Sequence, residues 1–179
     1  ARNGRPLWGE RIQRTLITPL HLVHPDGRFP RLNDAGENHL RNHAEIYELG
    51  NGLSEEPMFD RVLTEIYRKQ GNRRTNHLAL LAGTDFEDTH GLDGLGDPPE
   101  SLGMEIAVGT QSPLPYRLLI DRAPHGGYHG HDDKLNVILY AQARELIPDF
   151  GIGGFIDKLF SGWLRRTIAH NTVLVGAYG

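Results

Sequence analysis

Histidine is the side chain whose charge changes nearest neutral pH, and it is also a frequent metal ligand. Four of the ten histidines fall between positions 125 and 170. Three of those lie in one glycine-rich stretch, His125-Gly126-Gly127-Tyr128-His129-Gly130-His131-Asp132-Asp133-Lys134. In an extended segment alternate side chains share a face, so His129 and His131 point the same way. Gly127 and Gly130 leave room for a ligand or a second backbone to come close. Asp149 follows 18 positions after His131, and His170 comes 21 after that, each beside a strand candidate. Two imidazoles and a carboxylate brought together from neighbouring strands would suit zinc, with a fourth position open to water. A plainer description covers the same residues. His-x-His is common on surfaces, glycine-rich loops collect histidine without binding anything, and the three residues are too widely spaced for a short metal motif. A metal held here could equally be a structural one.

The elements around these residues divide into two kinds. Residues 1–82 carry 12 Lys/Arg and 10 Asp/Glu, and residues 83–179 carry 7 and 13, so the first part is mildly basic and the second acidic. The hydrophobic period changes at the same place, which puts a boundary near Gly83. In the first part Trp8, Ile12 and Leu16 make a helical stripe that ends near Thr18-Pro19. Leu40, Ala44 and Tyr47 make a second, with Gly50 suited to end it. A third helix follows Ser54, a capping residue, with Glu55 and Glu56 at its positive end. Its apolar pairs Met58/Phe59, Val62/Leu63 and Ile66/Tyr67 repeat every four residues, and Gly71 closes it. A short helical segment is expected over 76–81. Paired helices with short connections describe a helical hairpin array. Residues 83–115 read as loop. Strands are expected at Tyr116–Ile120, Val137–Ala141, Glu145–Ile147 and Thr172–Val175, in a sandwich or barrel.

The whole chain has 179 residues and a net charge of −4, with 38% hydrophobic residues. It is globular in composition, has no apolar run that would span a membrane, and lacks the positive balance of a nucleic-acid binder that works by bulk charge. Without cysteine, neither disulfides nor thiol chemistry arise. Ala1-Arg2-Asn3-Gly4-Arg5 shows no apolar leader. The last strand candidate runs almost to the final residue, so the sheet is expected to be incomplete and the chain a piece of a longer one.

Several elements in order, over about residues 116–175, resemble the heparinase II/III-like polysaccharide lyases. They are Pro124-His125-Gly126-Gly127-Tyr128-His129-Gly130-His131-Asp132-Asp133-Lys134-Leu135, then Glu145-Leu146-Ile147-Pro148-Asp149-Phe150-Gly151, Trp163, and Thr167-Ile168-Ala169-His170-Asn171-Thr172-Val173. The resemblance implies an α+β fold, the end of an α/α toroid followed by an antiparallel β-sandwich domain. Residues 1–82 would be the last toroid helices and residues 83–179 the opening of the sheet domain. It implies zinc held by His131, Asp149 and His170, with Asn171 as an orienting neighbour. It places His129 in the substrate cleft. It also implies an acidic polysaccharide substrate, no nucleic-acid partner, the remainder of a parent chain and a possible second copy as partners, and a periplasmic or secreted location.

The chemistry that the resemblance implies is β-elimination at a uronic acid. A base removes the C5 proton beside the carboxylate, donors steady the enolate-like intermediate, and the 4-linked oxygen leaves and takes a proton. His129 and Tyr128 are the catalytic candidates here, and His125, Lys134 and Arg166 the substrate-binding ones. The family's Asn-His and Tyr from the toroid are expected upstream of Ala1, since Asn42-His43 and Asn76-His77 sit in the wrong context. The Tyr that members often carry between the zinc Asp and His is missing from 150–169, and Tyr128 could stand in for it or simply pack. Trp163 is expected in the core, Arg165 and Arg166 in surface ion pairs, and Asn33-Asp34 in a turn. Two alternatives stay open: a cupin-like metalloenzyme, and a non-catalytic carbohydrate-binding or structural domain with a zinc staple.

Overall fold

The computed structural model of the chain describes residues 8–71, 73–74, 76–82, 92, 95, 97–109, 115–124, 127–152 and 158–176, the side chains of Ala82, Phe160 and Ser161 aside. The chain forms two compact units. One comprises residues 1–22 and 39–97, the other residues 23–38 and 98–179. The expected single break near Gly83 had placed 23–38 with the helices. Those residues group with the sheet instead, because their polar side chains find partners there.

The first unit is helical. Helix α1 (Glu10–Ile17) continues into a 3-10 segment, Thr18–Leu22, which accommodates Pro19. A 3-10 turn, Leu40–His43, leads into α2 (Ala44–Leu53), followed by α3 (Pro57–Arg68) and the short α4 (His77–Ala82). All six apolar residues of the four-residue repeat in α3 are buried, as are Leu20, Leu40 and Tyr47. Gly50 does not end α2. It lies inside the helix, where an added Cβ would stand 3.0 Å from the rings of both Phe59 and Trp8. Close helix packing is what that glycine allows. Nor does Ser54 cap α3. Its hydroxyl donates to the Gly50 carbonyl at 3.0 Å, while Glu56 caps α3 by accepting from the Met58 amide, with Pro57 in the first turn. Gly71 adopts φ +67° after α3, as expected of a residue past a helix end. The fully buried Glu48 accepts from the Tyr67 hydroxyl at 2.8 Å and lies 3.1 Å from Arg74 Nε. Asn76 donates to the same hydroxyl at 2.7 Å, so it belongs to a polar network internal to the helices.

The second unit holds a four-stranded antiparallel meander in the order β1-β2-β3-β4: β1 (Met104–Gly109), β2 (Tyr116–Asp121), β3 (Val137–Ala141) and β4 (Arg144–Ile147). β1 lies in the stretch read as loop. The fourth expected strand is absent: Thr172–Val175 is irregular, its hydroxyl-bearing Thr172 bonded to the Lys134 carbonyl and Val173 and Val175 largely exposed. Leu119, Ile138 and Tyr140 are buried. β3 and β4 are joined through Gln142 and Ala143, both at positive φ (52° and 58°), the mirror-image turn that suits the twist of a hairpin. Trp163, expected in the core, is 40% exposed in a π-helical turn, Phe160–Leu164. The stretch 83–91 and the glycine-rich residues beyond it fall mostly outside the described residues.

Residues 23–38 are tied to this sheet by His24. Its ring stacks on Tyr140, with centroids 4.7 Å apart and planes 13° from parallel. Its Nε2 lies 3.1 Å from Glu145 Oε1 on β4, and Arg31 approaches the other oxygen at 3.6 Å. The bond from His24 outweighs the opposing effect of burial and, with the nearby arginines, holds the Glu145 carboxyl below its ordinary value. A carboxyl lowered in the folded state adds stability above its unfolded pKa and loses it as pH falls through the folded one. Glu145→Gln is therefore expected to cost about 1–3 kcal/mol at neutral pH. The deficit should shrink in acid, where the wild type loses the same charge. Urea unfolding of both proteins across the acid range measures this.

Candidate active site

The site is built from the loop between β2 and β3, the residues after β4, the segment around His170, and the turn at Asn33-Asp34. All belong to the second unit. Gly127–His129 form a single 3-10 turn that carries Tyr128 and His129 outward, and the chain then turns inward at His131. The His129 side chain is 67% exposed, whereas that of His131 is fully buried. The expectation that both share one face of an extended strand is thus corrected, since the turn separates them. Arg165 fixes it by donating to the carbonyls of Tyr128 and Gly130, both at 2.9 Å. Only a surface ion pair was expected of Arg165, and these carbonyl contacts are a further role.

Asp149 is buried beyond the end of β4 and accepts from three groups. The Gly151 amide donates to Oδ1 at 2.8 Å, His170 Nδ1 lies 2.8 Å from Oδ2, and the Asn136 amide side chain donates to the same Oδ2. Gly151 has φ +59°, and a Cβ there would meet the Ala35 carbonyl oxygen at 2.2 Å, so only glycine fits. Burial works against a charged His170, but its bond to Asp149 and the nearby Asp133 outweigh it and raise its pKa. The rings of His131 and His170 stand 5.3 Å apart, centroid to centroid. His170 Nε2 is buried and has no hydrogen-bond partner.

Asn171 reaches back to the carbonyl of Pro148 at 2.8 Å, and its own amide donates to the Asn136 side chain at 3.0 Å. It therefore holds the backbone that presents Asp149. Tyr128 is exposed, its ring edge-on to His129 at 5.2 Å. Lys134 lies 3.4 Å from Asp133 and 3.8 Å from Asp121. Arg166 is exposed at the start of the turn before His170. His125 lies outside the described residues.

Three polar residues at the site carried no signal of a role in the sequence. Asn136 sits one residue before β3, where its amide bridges Asp149 and the Asn171 backbone. Asn33 accepts from the His131 amide at 3.0 Å. Asp34 reaches two histidines, with Oδ2 at 2.6 Å from His129 Nδ1 and Oδ1 at 2.9 Å from His131 Nε2. Burial opposes its ionisation, and these two bonds prevail and keep the carboxyl below its ordinary value.

The donors are of the kinds that zinc takes, two imidazoles and a carboxylate in a dry setting. The unpartnered His170 Nε2 is a buried nitrogen able to serve. As they stand, no three His, Cys, Asp or Glu side chains among the described residues converge to hold an ion. Asp149 is bonded to His170 directly. Asn136→Ala would take one of the two donors from a buried carboxylate oxygen and leave the Asn171 backbone amide without its acceptor. Its expected cost is about 1–3 kcal/mol or more, read as a lowered denaturation midpoint, with Asn136→Asp failing to restore it because a second carboxylate would face Asp149.

The model of the family described as Heparinase II/III-like, C-terminal, matches residues 112–179. An exo-oligoalginate lyase from Saccharophagus degradans is 34% identical over 68 residues, 32% of this chain and 9% of that protein. The fold is similar to that of the solved heparan sulfate lyase from Pedobacter heparinus, with a TM-score of 0.58, 16% identity, and coverage of 91% of this chain and 23% of that one. A solved heparinase III gives a TM-score of 0.54 at the same identity and coverage. The chain thus spans less than a quarter of the relatives it matches. These likenesses agree with an α+β fold of helices and an antiparallel sheet, and residues 112–179 are similar to the C-terminal domain of the heparinase II/III-like family.

Proposed function

We propose that the protein carrying this chain is a polysaccharide lyase that cleaves a uronic-acid-containing polymer by β-elimination, exported to the periplasm or beyond the cell. The observation that carries this reading is the exposed imidazole of His129, held by a carboxylate at the edge of a buried His/Asp cluster. The names of the relatives, an alginate lyase and a heparan sulfate lyase, support the substrate class. No helix among the described residues is long and apolar enough to cross a membrane.

In this reading His129 takes the C5 proton. Its Nδ1 is engaged by Asp34, so the neutral ring offers Nε2 as the base. The C4–O bond then breaks, a C4=C5 double bond forms, and the departing oxygen receives a proton. Tyr128, exposed with its ring beside His129, has a hydroxyl to supply it. The uronate carboxylate needs donors as charge builds on it. Arg166 is exposed and able to approach it. Lys134 already faces Asp133 and Asp121 and would reach it only by leaving them. His125 is the third donor proposed from the sequence.

We also propose zinc at His131, Asp149 and His170, with Asn171 and Asn136 holding Asp149 in place. When bound, zinc would tie three separate stretches of chain together, a structural contribution that fixes the loop bearing His129. About one zinc per chain is expected by elemental analysis, lost in His131→Ala. Metal-free, folded wild-type protein would remove zinc from the proposal.

The experiment for the activity is ultraviolet detection of the unsaturated uronate released from alginate and heparan sulfate by the intact protein. His129→Ala should lower kcat by about 10²–10⁴-fold. Polymer binding with no unsaturated product would favour a non-catalytic carbohydrate-binding domain.

A further inference from the structure

Asp34 belongs to a turn far from the histidine motif in sequence, yet it touches both His129 and His131. Its side chain is only 10% exposed. Both of its oxygens are used, one on an outward ring and one on a buried ring. The turn that carries it is fixed on either side. Asn33 accepts from the His131 amide at 3.0 Å, and the Ala35 carbonyl accepts from the Ile152 amide at 3.3 Å. Gly151 lets the turn come this close, since any side chain there would collide with Ala35. The carboxylate is thus held in place by its neighbours before any ligand arrives.

We infer that Asp34 is a positioning residue for His129: its carboxylate selects the Nδ1–H form of that imidazole and so makes Nε2 the nitrogen that carries the lone pair. An ionised carboxylate can only accept, so the ring nitrogen facing it must carry the hydrogen. The remaining nitrogen of the neutral ring then holds the lone pair. Asp34 thereby favours one tautomer of His129, because the hydrogen bond at one ring nitrogen decides the role of the other. The bond from Asp34 to His131 gives the same carboxylate a rigid footing. The functional half of this inference rests on His129 being the base proposed above, and the tautomer half does not.

Two measurements on the intact protein test it. In a nitrogen-detected imidazole spectrum, with the His129 signals assigned by their loss in His129→Ala, the wild type should show the Nδ1–H form. Asp34→Ala should show a mixture. In steady-state kinetics, Asp34→Asn should lower kcat by about 10–100-fold with KM little changed and folded content and metal content retained. A purely structural role would move the melting temperature without this split. Wild-type His129 bearing its hydrogen on Nε2 would overturn the inference, and so would Asp34→Asn turning over at the wild-type rate. Should Asp34→Ala fail to fold, the wild-type spectrum and Asp34→Asn still decide the matter. A wild type that shows the Nδ1–H form but never turns over a uronate polymer would refute the base role of His129 and leave the tautomer clamp standing.

Discussion

Burying charge is costly unless every polar atom finds a partner, and the sheet unit is arranged around one such burial. Asp149 is almost wholly inside, yet it accepts from an amide side chain, a backbone amide and an imidazole. Each of those donors is fixed by something else. Asn136 is bound to the backbone of Asn171, Gly151 by the close passage of Ala35, and His170 by the turn that precedes it. Removing the carboxylate would leave three orphaned donors in three different stretches of chain. The loop positions follow from satisfying this one group more than from the pairing of the strands.

The strands supply a frame of a simple kind. A meander of four short strands needs only neighbouring pairings, and its longest irregular excursion is the one between β2 and β3 that carries the histidines. That loop is stiffened by side chains reaching its carbonyls, chiefly Arg165, and not by ladder bonds. A reactive group on such a loop can be exposed and still be held still, which a strand position facing the core would not permit.

What could be read from the sequence follows the range of the interaction concerned. The four-residue repeat of α3 is local, and every member of it is buried as its spacing requires. The runs at Tyr116, Val137 and Glu145 are likewise local and are strands. β1 was hidden because Met104–Gly109 lies among glycine, proline and acidic residues and is recruited by pairing with β2. Thr172–Val175 has strand composition, but its backbone serves the Lys134 loop instead of a ladder. Gly50 looked like a helix end because composition cannot distinguish a glycine that terminates from one that admits a neighbouring ring. At the site, His129, His131, Asp149 and His170 were recognisable from ordered motifs. Asn33 and Asp34 were not, since a turn-forming Asn-Asp pair looks the same whether or not a histidine lies opposite.

The contacts that complete the site span 95 and 97 positions from Asp34, and the staple between His24 and Glu145 spans 121. Closing loops of this length is slow compared with forming a helix or a hairpin. During synthesis the segment 23–38 emerges long before the strands that will receive it. It must wait, exposed, while about a hundred further residues are made. The helices of residues 39–82 can form in that interval from local contacts alone. The histidine site is therefore slow to become structured, and residues 23–38 are made well before they find their place.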